Sequence, residues 1–327
     1  MKTLLCNDCK KESGIFVPAD IPKNCICCNC KRAFSLPSSY EIQHTKEIHI
    51  YKNPQIGFFD YASGFLNKPI EKIYEFVMQI PYAEEAIKKS IGGLINLLND
   101  GAQWTVRQDA ILRVYQDQNL QVNSLEEVQF LDLKDVDKAI GFLAAKYKTI
   151  AFTEGGLAGL PANAGPQVAV PAIAADTLFI IGLNLRAIGE YATYCGFDIN
   201  LQHERLFALN ILALASAPTD AAKQAAMAQL IKIATEIAKR APWKTLNEKL
   251  FVRIIQRIAE ALGQRITKAK LAQIVPVISS GIGAGFNAYF TAKVTEAAYY
   301  LYRERFLAMK YGPEVIEKTV PPAEDVE

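Results

Sequence analysis

Little in this 327-residue chain is equipped for catalysis. It holds three histidines, and no GxSxG, GxxxxGK[ST], HExxH or GxGxxG run occurs in it. The nucleophile elbow, the phosphate-cradling P-loop, the zinc-protease helix and the dinucleotide fingerprint are therefore missing as local signatures. Charge of one sign is also lacking, since 36 Lys+Arg stand against 34 Asp+Glu for a formal net charge of +2. Charged residues make up 21% of the chain and hydrophobic ones 50%, a composition that collapses rather than solvating itself, which excludes disorder as the main state. Gly 19 and Pro 15 are ordinary counts, so collagen-like and mucin-like chains are excluded as well. The N-terminal apolar run, Leu4-Leu5, is far too short for a signal peptide, and the expectation is a cytoplasmic protein.

Cysteine, by contrast, is concentrated. Six of the seven cysteines lie within the first thirty residues. Cys6-x2-Cys9 and Cys27-x2-Cys30 give C-x2-C-x17-C-x2-C, within the range of a four-thiolate zinc site. Each C-x-x-C turn points two thiolates to one side, and two such turns complete a tetrahedron around Zn2+. A forty-residue polar head has too little core of its own, so metal binding would supply its folding energy. The expected ligands are Cys6, Cys9, Cys27 and Cys30, with zinc in a structural role because four protein thiolates leave no open coordination position. Cys25 and Cys28 form a competing C-x2-C pair, and a redox-active or disulfide-linked tip is the alternative chemistry.

The rest of the chain reads as helical. Residues 1–40 form the cysteine-rich head, 41–67 a weakly alternating connector, 68–312 a run of helical segments, and 313–327 an acidic tail. Asp132 or Asp135 is suited to begin a helix running through Lys146. The glycines and prolines of 154–176 exclude one regular helix there. A helix over about 172–195 closes on Gly196 as a C-cap. Further helices are expected over about 219–240, 244–264 and 271–311. Almost nothing after residue 65 argues for strands, so the fold class is all-α.

Several residues stand out for possible function. Between Lys223 and Lys310 there are 15 basic and 5 acidic residues, so near-neutrality is a cancellation between segments. Lys249, Arg253 and Arg257 recur every fourth residue beside an apolar face, the pattern of a helix lying on an anionic membrane; the same pattern describes an ordinary amphipathic helix with a solvated basic face. Residues 271–292 contain no charge and are as long as a bilayer span. They are interrupted by Pro276, so a buried hairpin is the competing reading. Arg186 sits in apolar sequence and calls for a carboxylate partner. Asp176, Arg186, Asp198 and His203 are thus a candidate buried polar cluster. The basic residues lie far from the head and lack interleaved aromatics, which counts against nucleic acid.

One stretch carries a family likeness. Gly159-Leu160-Pro161, Pro171 to Asp176, Arg186-Ala187-Ile188 and Tyr194-Cys195-Gly196-Phe197-Asp198, followed by Pro276, Gly281, Gly283, Gly285, Asn287, Arg305 and Gly312, resemble the EcsC protein family. The resemblance covers about residues 68–312 and leaves the cysteine-rich head outside. It implies a mostly helical, cytoplasmic or membrane-associated bacterial protein with an accessory role in membrane transport, and it brings no catalytic residue with it. The combined expectation is a non-enzymatic peripheral protein that docks on a membrane or membrane complex through its basic helical half, with a zinc ribbon for partner binding. Two rivals are an enzyme acting on a lipid or lipid-linked substrate and a soluble interaction scaffold.

Overall fold

A computed structural model describes residues 2–5, 12–15, 37–52, 77–100, 106–153, 165–217, 220–238, 248–274, 285–312 and 314–317. Apart from a two-stranded antiparallel hairpin, Lys2–Leu5 with Glu12–Ile15, every regular element among them is helical. In chain order the helices are α1 (Ser39–Lys52), α2 (Ala83–Asn99), α3 (Gln108–Asp117), α4 (Leu125–Val128), α5 (Leu133–Ile140), α6 (Leu143–Thr153), α7 (Pro166–Tyr194), α8 (Gln202–Ala215), α9 (Asp220–Ala238), α10 (Glu248–Ile274), α11 (Gly285–Tyr311) and α12 (Glu314–Glu317).

Two long helices organise the rest. α7 touches α2, α3, α5, α6, α8, α10 and α11, while α11 touches α1, α5, α6, α7, α8, α9 and α12. They run parallel, because Asn184 pairs with Thr291 and, two turns on in both, Tyr191 meets Tyr299. α6 runs antiparallel to both. Asp137, just before it, meets Arg303, whereas Lys148 within it lies near Glu296, farther back along α11. One continuous apolar core joins these helices, with Ile180, Leu185, Ile188, Leu209, Ile255, Leu262, Val294 and Phe306 among its fully enclosed members. A smaller cluster unites the start of α2 with the start of α7 and the end of α10 through Ala86, Ile173 and Leu271.

The local signals for most boundaries are physical and readable. Asp132 accepts a hydrogen bond from the Lys134 backbone N–H and so caps α5, satisfying a donor that a helix start leaves open. The helix expected to run on through Lys146 is broken, however. Gly141 adopts φ +51°, and the chain restarts as α6. α7 begins six residues earlier than expected, at Pro166, and continues through Pro171. Proline is at home in a first turn. At Pro171 the missing N–H frees the Gln167 carbonyl, and both residues lie on the outward side of the helix, so that carbonyl is not shut into the core. The span read as a connector from residue 41 begins instead with α1. Its buried positions Glu41, Ile48 and Lys52 do follow helical spacing, but two of the three are charged, so hydrophobic periodicity could not reveal it. The uncharged run 271–292 is divided between the end of α10 and the start of α11, with residues 275–284 outside the described set. Residues 68–76, where the run of helical segments was expected to begin, lie outside it as well.

Two glycines set how closely the helices and turns approach. A Cβ on Gly263 of α10 would lie 2.5 Å from Ile91 of α2, and one on Gly196 would lie 2.6 Å from the Leu125 carbonyl oxygen. Gly196 also has φ +78°, the left-handed C-cap conformation anticipated from its place after α7. We therefore expect Gly196→Ala to destabilise the fold by about 2 kcal/mol or more, from backbone strain plus a clash with backbone. Urea unfolding should show a lower midpoint with an unchanged slope.

Candidate functional site

The most unusual chemistry of the molecule is internal. On α11, Tyr302, Arg303, Glu304 and Arg305 are all buried at 2% exposure or less. Four consecutive residues point around most of a helical circumference, so this part of α11 is enclosed on every side. An enclosed charge needs a partner of opposite sign, and α1, α5 and α8 each bring one. Arg303 Nη2 donates to Asp137 Oδ2 of α5 at 2.6 Å, and Tyr40 Oη of α1 donates to the same oxygen at 2.8 Å. Lys52 of α1 donates to Glu304 at 2.5 Å. Arg305 makes a two-pronged pair with Glu204 of α8, at 2.5 and 2.6 Å. Two turns on, Lys310 meets Glu41 of α1 at 2.7 Å and the Leu131 carbonyl at 2.8 Å, while Tyr311 Oη donates to the other Glu41 oxygen at 2.6 Å.

Aromatic faces complete these sites. The Arg305 guanidinium lies 4.2 Å from the Phe197 ring and 4.4 Å from that of Phe207, and Arg303 lies 4.3 Å from Tyr299. Such contacts favour a desolvated cation. Burial still leaves its mark on acidity. Asp137 is pushed above the usual carboxylate range by burial, against the pull of Arg303, and Lys52 is pushed down by burial, against the pull of Glu304.

A second buried pair lies toward the other end of α11. Lys270 of α10, completely buried, places Nζ 2.6 Å from Asp176 of α7 and donates to Asn287 Oδ1 of α11. Burial lowers the Lys270 pKa, and Asp176 opposes that shift. Around it, Thr177 and Thr267 approach to 3.5 Å, and Asn184 donates to Thr291 at 3.2 Å. These groups form a polar layer through the meeting point of α7, α10 and α11.

The four residues expected to cluster are not brought together. Asp176 belongs to the Lys270 layer. Arg186 lies ten residues along α7, about 15 Å away by helix rise. It is not buried: its side chain is 60% exposed and pairs with Glu190 at 3.7 Å. Asp198 accepts from Gln108 at 2.8 Å and caps the Asn200 backbone. His203 lies 3.5 Å from Glu204, and burial lowers its pKa. Sequence reading did not single out as buried charges Glu41, Lys52, Asp137, Glu204, Lys270, Arg303, Glu304, Arg305 and Lys310. A signal was present in YRER and in Lys310, since a charged run closing an otherwise apolar helix has to find partners.

The expected basic stripe divides. Arg253 and Arg257 are exposed on the outer face of α10, whereas the side chain of Lys249 lies outside the described residues. Ile258 and Leu262, from the apolar face beside that stripe, are buried in the core. The proposed zinc ligands Cys6, Cys9, Cys27 and Cys30 lie outside the described residues. Among the described residues, no group of three or more His, Cys, Asp or Glu is placed to hold a metal ion. Cys195 is fully enclosed and its thiol is pushed up by burial, which makes it a poor nucleophile. A shallow depression lined by Ser38, Ser39, Tyr40, Gln43, Asp132 and Lys134 opens at the start of α1.

Breaking one buried pair leaves a charge unpaired, while replacing both members with apolar groups can be nearly neutral. Arg305→Met is therefore expected to cost about 3–5 kcal/mol of stability, and Arg305→Met/Glu204→Met clearly less than that single change. A double-mutant cycle in urea measures the difference.

The chain is 26% identical over 274 residues to the uncharacterized protein YdbA of Bacillus subtilis (strain 168), covering 80% of this chain and 91% of that protein. No solved structure matches it. The sequence model of the EcsC protein family matches residues 59–307, which include α2 to α10 and the charged heart of α11. Residues that carry the likeness have demanding places here: Gly196 in its left-handed turn, Phe197 against Arg305, Asn287 on Lys270, and Arg305 on Glu204. The chain belongs to the EcsC protein family.

Proposed function

We propose that this protein is a peripheral membrane protein, non-enzymatic and accessory to a transport or secretion complex, that docks on an anionic membrane or membrane complex from the cytoplasmic side. The observation that carries the reading is α7. It has 29 residues and an 18-residue window of mean hydropathy 1.9, and only 50% of that window is buried inside the protein. Of the part that is not buried, Val168, Pro171, Ala175 and Phe179 are exposed, so a line of apolar side chains is left facing outward.

Electrostatics support the same reading. Of the 15 basic and 5 acidic residues between Lys223 and Lys310, four basic ones (Lys270, Arg303, Arg305, Lys310) and Glu304 are held in buried pairs. Eleven basic and four acidic residues remain in that segment, still a clear positive surplus. Because the apolar side of α10 packs into the core, Arg253 and Arg257 offer attraction to anionic headgroups without insertion.

The N-terminal head would serve as a partner-binding module stiffened by structural zinc on Cys6, Cys9, Cys27 and Cys30. Cys6-x2-Cys9 falls in the connection between two antiparallel strands, whose register pairs Leu5 with Glu12. Four thiolates in two C-x2-C pairs are a donor set suited to tetrahedral structural zinc.

Two measurements test this reading. Elemental analysis of the purified full chain should find one zinc per chain, falling to none in Cys6→Ser/Cys9→Ser; a wild-type value far below one removes the ribbon. Flotation should carry the protein with phosphatidylglycerol-containing vesicles and much less with phosphatidylcholine alone, and Arg253→Glu/Arg257→Glu should weaken binding most at low ionic strength. Failure to float with either vesicle rejects membrane docking.

A further inference from the structure

Resting on the membrane reading, a more specific assignment follows from where exposed apolar and charged groups lie on α6 and α7. The outward residues of α7 recur at helical spacing: Val168, Pro171, Ala175 and Phe179 are exposed, with Gly182 and Leu183 half-buried behind them. The same line continues into Arg186 and Glu190, where α6 covers it through Lys146 and Tyr147. Because α6 runs antiparallel to α7, Phe152 lies about 9 Å from Lys146 toward the start of α7, level with Leu183. Phe152 is well exposed, so it extends the α7 stripe onto the neighbouring helix. At the opposite end of α6, Phe142 follows the Gly141 turn and is 90% exposed.

Isolated exposed apolar residues are commonplace on soluble proteins. The charges on this face set it apart. Helices α6 and α7 contain only two carboxylates, Asp176 and Glu190. Both are largely buried, Asp176 on Lys270 and Glu190 on Lys146 and Arg186. Lys148 and Arg186 are exposed on the same two helices, and Lys138 is exposed one turn before Phe142. Among the described residues, the outward surface of α6 and α7 therefore offers apolar and cationic groups and no exposed carboxylate. The outward face of α10 differs, because Arg253 and Arg257 share it with exposed Glu260. An anionic bilayer repels carboxylates, as an acidic protein would, but it also takes up at its boundary the aromatic and aliphatic side chains that stand beside these cations.

We infer that the α6–α7 face is the lipid-contacting surface, with Phe142, Phe152 and Phe179 entering the interface of an anionic bilayer while Lys138, Lys148 and Arg186 meet its headgroups. α7 then lies along the membrane rather than across it, since its inner half is committed to the core. Arg253 and Arg257 contribute attraction from a distance.

Flotation of the full chain with phosphatidylcholine vesicles, with and without phosphatidylglycerol, tests the assignment. Phe142→Ser/Phe152→Ser changes two outward side chains and should leave the urea midpoint intact while weakening binding to anionic vesicles by about tenfold or more. Lys138→Glu/Lys148→Glu, at two exposed positions, should weaken it as strongly at low salt. Arg253→Glu/Arg257→Glu should have the smaller effect. If the phenylalanine and lysine variants float like the wild type, the α6–α7 assignment is wrong while membrane docking stands. If the wild type floats with neither vesicle, both fall. If the phenylalanine variant instead abolishes a concentration-dependent dimer and leaves flotation unchanged, the face joins two copies of this chain and the lipid assignment is overturned.

Discussion

Enclosing a charged stretch of helix on all sides is the constraint from which most of this architecture follows. Once Arg303, Glu304 and Arg305 are buried together, α5, α1 and α8 must each arrive with an opposite charge at a defined height along α11. Apolar packing alone tolerates sliding between helices, because one aliphatic contact resembles the next. A guanidinium facing a carboxylate in a two-pronged pair does not. The pairs add little net stability compared with apolar replacements, so their physical consequence is to fix register: α11 can sit at only one height among its neighbours.

That reading changes the meaning of the charge segregation along the chain. The surplus of positive charge after residue 223 looks from sequence like a surface property. In the folded molecule part of it is internal, since Glu41, Asp137, Asp176 and Glu204 from earlier segments neutralise Lys310, Arg303, Lys270 and Arg305. Opposite charges far apart in sequence thus act as matching marks for long-range assembly. Outside these pairs, exposed Arg253 and Arg257 supply the positive charge on which the proposed docking draws.

How much of this was legible beforehand depended on whether a residue's local signal agreed with its tertiary role. Asp132, Gly196 and Gly312 announced the ends of helices because caps and left-handed turns are chemical requirements of the local chain. The all-α class followed from apolar periodicity, which α2 obeys. α1 was missed because Glu41 and Lys52 occupy its inward face. The break at Gly141 was missed because a single glycine is tolerated in many helices. The candidate polar cluster was half wrong for a related reason: an arginine in apolar sequence looks buried, yet Arg186 lies on the one outward line of α7, while the lysine that is truly buried, Lys270, closes a conspicuously basic helix.

The place of α1 bears on where this folding unit begins. The family match starts at residue 59, yet α1 precedes it and supplies Tyr40, Glu41 and Lys52 to three separate buried sites on α11 and α5. A chain cut at the family boundary would retain every residue by which the family is recognised. It would also take Lys52 away from Glu304 and Glu41 away from Lys310 in the interior. The helix α1, read from sequence as part of a connector, is thus a structural member of the helical body, tied to it by ion pairs near both of its ends.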